Sequence, residues 1–134
     1  MNGAERFIDT NVLLYLLSAD PAKAERSEQT LAQGGTLNVQ VLNEFSSVAS
    51  RKLRMQIAEI REVLSVIRAV CRVLPITEQT HDAGMQIAEQ YGLSIFDAML
   101  VASATLAGCK VFLSEDLQHG QKFTGGLGVR NPFR

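Results

Sequence analysis

Four acidic residues stand beside predicted strand ends or on apolar helices, where their carboxylates could act together. Asp9 directly follows a short apolar strand, and Asp116 lies just beyond another. Asp97 lies in the first turn of a helix whose other residues are almost all apolar, and Glu44 lies on the flank of the apolar stripe of its helix. Since ligands of open α/β sheets bind beyond the carboxyl ends of the strands, we expect the four carboxylates to meet there.

Such a cluster of carboxylates would be unfavourable without a cation. Two carboxylates about 4 Å apart repel each other by roughly 4 kcal/mol at an effective dielectric constant near 20. A divalent ion removes this repulsion, and all-oxygen ligands favour Mg²⁺ or Mn²⁺. Zinc is not expected, because His81 and His119 lie far apart and neither adjoins a cysteine. One or two ions in a carboxylate site suit the hydrolysis of phosphodiester bonds.

Each acid also has a purely structural interpretation. Asp9 could cap the helix that follows it, and Glu44 could reach solvent from a helix edge. Asp97 could form a capping box with Ser94, worth about 1 kcal/mol to the helix. Asp116 could begin an Asx turn. Taken singly these interpretations are the more common ones, but together they leave the shared location of four acids to coincidence.

Short apolar segments separated by helical patterns predict an α/β fold. The predicted strands cover residues 6–8, 37–39, 72–76 and 111–113, with a last short strand at Val129. The predicted helices cover residues 12–18, 21–33, 41–53, 57–70, 77–91 and 96–107. Because strands that alternate with helices form mostly parallel sheets, we expect a three-layer α/β/α sandwich, with residues 1–134 forming a single domain.

Length and charge exclude several classes of protein. A chain of 134 residues can bury a core without metal or disulfide staples. A net charge of -1 excludes binding of nucleic acid by overall basicity, although not by a local basic patch. The longest apolar run, residues 12–17, is far shorter than the roughly 18 residues of a membrane span, and the polar start lacks a signal sequence. We expect a soluble cytoplasmic protein, with Cys71 and Cys109 as buried side chains rather than a disulfide.

Basic residues occur near two segments that could contact the phosphates of a nucleic acid. They are Arg51, Lys52 and Arg54 near the end of the third helix, and Lys122, Arg130 and Arg134 near the chain end. The alternative is that these are solvated surface charges. His119, three residues after Asp116, is interpreted mainly as structuring its loop, with a nucleic-acid contact as the alternative.

These residues lie in motifs that resemble a known family. The motifs are residues 7–11 (FIDTN), 41–45 (VLNEF), 96–98 (FDA) and 113–120 (LSEDLQHG), followed by NPF at 131–133. In this order and approximate spacing they resemble the PIN-domain ribonucleases, and within them the VapC-like toxins of toxin–antitoxin pairs. The resemblance covers nearly the whole chain. It implies a parallel sheet flanked by helices and an acidic site that binds Mg²⁺ or Mn²⁺.

The resemblance also assigns roles to individual residues. The site acids are Asp9, Glu44, Asp97 and Asp116, with Asp9 and Asp97 expected to bind the metal most directly and the other two through water. Asn11 and Ser114 match positions that form hydrogen bonds within the site, and threonine is common in place of Ser114. Glu115 adjoins Asp116 and could take its place, although the motif favours Asp116.

The implied partners are an RNA substrate, a small antitoxin protein and a second copy of the chain in a homodimer, with no membrane. Three alternatives remain open. One is a PIN-like domain that binds RNA or protein without catalysis, and another is a nuclease that cuts DNA. The third is a receiver-type signalling domain, which would need adjacent acids after the first strand and a lysine after the last; here Thr10 follows Asp9, and Lys110 precedes its strand.

Overall fold

The computed structural model describes residues 3–134 and contains five strands and six α-helices in this range. The strands are β1 (Arg6–Ile8), β2 (Gly35–Asn38), β3 (Cys71–Leu74), β4 (Val111–Leu113) and β5 (Gly128–Arg130). The helices are α1 (Thr10–Leu14), α2 (Pro21–Ala32), α3 (Val39–Arg51), α4 (Ile57–Val70), α5 (Glu78–Tyr91) and α6 (Ile95–Leu106). Two 3-10 turns, Gly3–Glu5 and Tyr15–Leu17, precede β1 and follow α1. The predicted order of strands and helices is confirmed; the first two positions of the expected domain lie outside the described residues.

The strands form one sheet in the order β3-β2-β1-β4-β5, and every neighbouring pair is parallel. The predicted mostly parallel sheet is therefore confirmed. β1 lies at the centre, where Phe7 and Phe112 stack with their ring centroids 5.4 Å apart. Both rings are almost fully buried, and each contributes roughly 1.5–3 kcal/mol through burial of its apolar surface.

The handedness of the crossovers places helices on both faces of the sheet. The connections from β1 to β2 and from β2 to β3 move towards one edge, whereas the connection from β3 to β4 returns across β1. Since such crossovers are right-handed, α1–α4 cover one face and α5 and α6 the other. The observed contacts agree, because α1–α4 touch one another and α6 pairs with α5 and lies against β2. This confirms the three-layer sandwich.

Most element boundaries differ from those predicted by one or two residues, and two of the differences have a clear physical description. β2 ends at Asn38 rather than at Val39, because the Asn38 side chain accepts a hydrogen bond from the Val41 N–H (3.1 Å) and so begins α3. The first predicted helix, residues 12–18, is instead α1 followed by a separate 3-10 turn. Cys71 and Cys109 are buried with free thiols, as expected. Within residues 3–134, no helix combines the length and the apolar character that crossing a bilayer requires.

Candidate active site

The strand order creates a crevice between β1 and β4, because the chain leaves β1 towards β2 and later returns to its other side. This is the point where ligands bind in open α/β sheets. Asp9 follows β1 there, with its N–H bonded to the Leu113 carbonyl of β4 (2.9 Å). A cavity of about 320 Å³ opens at this point. Its lining residues are Asp9, Thr10, Asn11, Leu14, Glu44, Ser47, Val48, Arg51, Asp97 and Asp116.

Asp9 is the most buried of the four acids, with only 5% of its surface exposed. Its carboxylate accepts hydrogen bonds from the Thr10 N–H (2.7 Å), the Asn11 amide (3.1 Å) and the Ser114 hydroxyl (2.9 Å). Burial nevertheless raises the pKa of Asp9 to about 7, against the effect of the bonds from Ser114 and Thr10, and the charges of Asp97 and Asp116 raise it further. The structural interpretation of Asp9 as a cap of α1 also holds, since it accepts from Thr10.

Glu44 is held by side chains that the sequence analysis did not select. The Thr10 hydroxyl donates to one carboxylate oxygen of Glu44 (2.8 Å), and the Gln40 amide donates to the other (3.4 Å). Gln40 also donates to the Phe96 carbonyl at the start of α6 (3.0 Å). Gln40 precedes Glu44 by four residues and therefore shares its helix face, which is the signal that could have identified it.

Asp97 lies in the first turn of α6, half-buried beside the cavity. The capping box expected with Ser94 forms only in part. The Ser94 hydroxyl accepts from the Asp97 N–H (3.2 Å), but among the described residues no bond returns from the Asp97 carboxylate to the Ser94 N–H. Capping therefore uses the serine and leaves the aspartate side chain free to face the cavity.

Asp116, not Glu115, lines the cavity. The Glu115 carboxylate bonds to the Tyr15 hydroxyl and pairs with the Lys23 ammonium, and these contacts lower the pKa of Glu115. Asp116 does not begin the expected Asx turn. Its N–H instead donates to the Ser114 hydroxyl (3.1 Å), so the turn is organised by Ser114.

Asn11 and Ser114 form the hydrogen bonds that connect the two sides of the crevice. Besides its bond to Asp9, Asn11 accepts from the Glu115 N–H (3.2 Å). Fully buried Ser114 donates to Asp9 and accepts from the Asp116 and Leu117 N–H groups (both 3.1 Å). The chain segment after β4 is thus fixed to the carboxylate after β1.

The predicted basic residues occupy different parts of the molecule. In the described part of the chain only Arg51, among them, lines the cavity, and its guanidinium donates to Ser47 (3.0 Å). Lys52 and Arg54 follow it and are exposed. Arg130 lies at the carboxyl end of β5, whereas Lys122 lies beside Gly128 at the opposite end of that strand.

His119 stands outside the cavity and organises the chain end. Its Nδ1 accepts a hydrogen bond from the Asn131 N–H (3.0 Å). This confirms the role in loop structure expected for His119. A contact with nucleic acid stays a prediction.

The donor set of the cavity fits a hard divalent cation. All four acids offer oxygen ligands, which Mg²⁺ and Mn²⁺ prefer. Burial raises the pKa of Asp9, and the charges of Asp97 and Asp116 raise it further. Within residues 3–134, however, no three Asp, Glu, His or Cys side chains converge closely enough to hold an ion by themselves. An ion that keeps several water ligands, as Mg²⁺ does, fits this looser arrangement.

Comparison with known proteins identifies the fold family. The model of the PIN domain family matches residues 6–122, a range that contains all four cavity acids. The chain belongs to the PIN domain family. The resemblance found in the sequence motifs is therefore confirmed, and the carboxylates described above lie in the PIN domain itself. A comparison with curated protein sequences found no match.

Solved structures share this PIN fold at low sequence identity. A toxin–antitoxin complex from Klebsiella pneumoniae aligns with a TM-score of 0.72 and 20% identity, over 95% of this chain and 97% of that one. VapC20 of Mycobacterium tuberculosis, a toxin that cleaves the sarcin–ricin loop, aligns with a TM-score of 0.65 and 18% identity, over 83% of this chain and 91% of that one. VapBC2 of Rickettsia felis, bound to a promoter DNA fragment, aligns with a TM-score of 0.66 and 13% identity, over 94% of this chain and 97% of that one.

Proposed function

We propose that this PIN domain is a Mg²⁺- or Mn²⁺-dependent endoribonuclease and the toxin of a toxin–antitoxin pair. One observation carries the proposal: carboxylates from four separate segments of the chain line a single cavity at the crevice between β1 and β4. They are Asp9, Glu44, Asp97 and Asp116. Membership of the PIN family and the fold shared with VapC20, a toxin that cleaves the sarcin–ricin loop, support RNA as the substrate.

The four acids would hold the ion, Asp9 and Asp97 directly and Glu44 and Asp116 through water. The bound ion would lower the pKa of an attacking water and offset the charge that develops on the leaving oxygen. Asn11 and Ser114 keep the Asp9 carboxylate oriented by donating to it. No covalent intermediate is proposed, since the sequence pattern offers no nucleophile paired with a base.

Arg51 supplies what the acids cannot, a positive charge for the substrate. An acidic cavity repels a phosphate, and phosphate contacts from basic side chains position a nucleic acid without reading its sequence. The bond to Ser47 orients the Arg51 guanidinium at the cavity wall. Lys52, Arg54 and Arg130 would contact phosphates farther from the scissile bond, and Lys122 is the most distant of the predicted contacts.

An RNA cleavage assay with Mg²⁺, Mn²⁺ or EDTA tests the activity. We expect cleavage with either ion, none in EDTA, and none with Asp97→Asn, because the substitution removes a direct ligand. The metal-free variant should still fold, since it loses only a repulsive charge. Asp82→Asn, which changes an exposed acid on α5, is the matched control and should cleave normally.

Full activity of Asp97→Asn would disprove the assigned role of the carboxylates. Tight RNA binding by the wild type without cleavage under any metal condition would indicate a domain that binds without catalysis. A DNA oligonucleotide of the same sequence tests whether the protein is instead a nuclease that cuts DNA, because the metal chemistry itself does not require the 2′-hydroxyl.

The proposed partners are a small antitoxin and a second copy of the chain. The fold shared with the Klebsiella pneumoniae toxin–antitoxin complex and with VapBC2 supports the antitoxin. Co-purification with the product of a small neighbouring reading frame tests that partnership. Sedimentation equilibrium of the isolated chain tests the homodimer.

A further inference from the structure

Among the described residues, Glu115 forms an ion pair with Lys23, and neither residue lines the cavity. Its carboxylate accepts from the Tyr15 hydroxyl at one oxygen and from the Lys23 ammonium at the other. Tyr15 follows α1, and Lys23 lies in the first turn of α2. Two elements that supply no acid to the cavity therefore hold the residue next to Asp116.

We propose that Lys23, Tyr15 and Glu115 form an outer clamp that positions Asp116 for metal binding. The expected effect of the clamp on catalysis rests on the proposed function. Its effect on the affinity for the ion comes first and can be measured without RNA. Lys23 and Tyr15 do not line the cavity, and their side-chain hydrogen bonds among the described residues go to Glu115 and to each other, so they are positioning residues. They act through the loop that joins Ser114 to Leu117.

The loop is held from both sides at successive residues. On the inner side the Asp116 N–H donates to the Ser114 hydroxyl, and the Glu115 N–H donates to Asn11. On the outer side the clamp holds the Glu115 carboxylate. Glu115 bonds to residues outside the cavity lining, whereas the adjacent Asp116 lines the cavity. Fixing Glu115 on the outer side therefore restricts the loop to a conformation in which Asp116 reaches the cavity.

The chain end reinforces the clamp. The Tyr15 and Phe133 rings meet edge to face, with centroids 4.7 Å apart. The Lys23 ammonium lies 4.5 Å from the centroid of Tyr15 and 4.8 Å from that of Phe133, within the range of cation–π attraction. The two rings therefore help to hold the Lys23 ammonium next to the Glu115 carboxylate.

The clamp has a second consequence, which is to keep the wrong acid out of the site. Glu115 has a longer side chain than Asp116, and both carry a carboxylate that could bind the ion, although the motif favours Asp116. Without the Lys23 ammonium, the Glu115 carboxylate would lose the ion pair that holds it on the outer side. It would then compete with Asp116 for the ion.

The pair is only partly shielded from water, since the side chains of Lys23 and Glu115 are 32% and 27% exposed. Ion pairs with this exposure add little to global stability. The clamp therefore predicts a specific combination of effects: a clear change in metal binding with a nearly unchanged resistance to unfolding. A purely structural ion pair would change neither, or would change only the unfolding.

The test compares Lys23→Met and Glu115→Gln with the full-length wild-type chain. Mn²⁺ binding is measured without RNA, by the loss of the electron paramagnetic resonance signal of the free ion. We expect about tenfold weaker Mn²⁺ binding and a similar fall in kcat, as for other residues that orient metal ligands. KM for RNA and the urea midpoint should stay near the wild-type values.

Two further variants serve as controls. Lys23→Arg keeps the charge and the stacking on both rings, so it should restore wild-type Mn²⁺ binding. Lys110→Met removes an exposed lysine that precedes β4, at the other end of the sheet, and should have no effect. If Lys23→Met does not fold, Tyr15→Phe removes a single hydroxyl of the clamp and should weaken Mn²⁺ binding in the same direction.

The outcomes separate the clamp from the proposed function. Wild-type Mn²⁺ affinity in both Lys23→Met and Glu115→Gln would overturn the clamp, even if the wild type cleaves RNA. Weaker Mn²⁺ binding in both variants, with no RNA cleavage by any protein, would support the clamp and reject the nuclease. A wild type that binds no Mn²⁺ would overturn both.

Discussion

Asp9 combines three hydrogen-bond donors with a location that disfavours its charge. The donors would by themselves hold the carboxyl ionised, but burial and two neighbouring acids outweigh them, and the pKa rises to about 7. A cation in the cavity would reverse this balance, because an adjacent positive charge favours the carboxylate. Asp9 is therefore the residue whose ionisation should respond most strongly if a cation binds in the cavity.

The raised pKa of Asp9 predicts how the metal-free protein depends on pH. Its pKa is 3.8 in an ordinary setting and about 7 in the fold, so between these values the native state binds more protons than the unfolded state. The free energy of unfolding should then fall as pH rises from about 4 to about 7, by at most roughly 4 kcal/mol. Urea denaturation in EDTA across this range measures the effect.

Asp9→Asn provides the comparison for this pH dependence, since the amide does not titrate. The variant should lack the fall between about pH 4 and about pH 7. Saturating Mg²⁺ should weaken or reverse the fall in the wild type, because the ion selects the ionised carboxyl. Parallel pH profiles for wild type and Asp9→Asn would show that Asp9 is not the group responsible.

At the scale of elements, α3 supplies one continuous face to the cavity. Gln40, Glu44, Ser47 and Arg51 recur at intervals of three and four residues, which places them on one side of a helix. Gln40 donates a hydrogen bond to the Glu44 carboxylate, and Ser47 accepts one from the Arg51 guanidinium. In the proposed function, this one helix would contribute to both metal binding and substrate binding.

The position of Arg51 predicts a change in the salt dependence of RNA binding. Each phosphate contact to single-stranded RNA contributes about -0.7 to the slope of log K against log salt concentration. Arg51→Gln should weaken binding and make the slope shallower by about that amount. Binding is best measured in the inactive Asp97→Asn background, by fluorescence anisotropy over a range of salt concentrations.

Arg26→Gln is the matched control, because Arg26 is exposed on α2 and does not line the cavity. Its slope should equal that of the parent protein. If Arg51→Gln and Arg26→Gln give the same slope, Arg51 does not contact a phosphate, and the basic residues near the end of α3 are solvated surface charges.

Element ends were predictable where a side chain or a glycine marks them. Asp20 caps α2 before Pro21, Thr77 caps α5, and Gly92 ends α5 in a left-handed conformation. The border between β2 and α3 was not predictable from periodicity. Asn38 is buried there because its amide also donates to Ser103 of α6 (2.7 Å), and a contact between residues so distant in sequence leaves no local signal.

At the scale of the whole molecule, motif resemblance predicted four acids that do line one cavity, but local patterns did not show how they meet. The crevice depends on β4 pairing with β1 in the register Arg6 to Val111, across more than a hundred residues. Local sequence likewise does not show that the Glu115 carboxylate pairs with a distant residue, Lys23 of α2, whereas Asp116 lines the cavity. Periodicity reports which face of an element is buried, not which elements are neighbours.

Because the four acids come from distant segments, metal binding should stabilise the fold as a whole. An ion that binds only the folded state raises the free energy of unfolding by about 2.7 kcal/mol at a hundred times its Kd. Urea denaturation with Mn²⁺ and with EDTA should show this rise in the wild type and in Asp82→Asn, and little of it in Asp97→Asn. An equal rise in Asp97→Asn would mean that Mn²⁺ stabilises the protein from a site other than this cavity, since that variant lacks a proposed direct ligand.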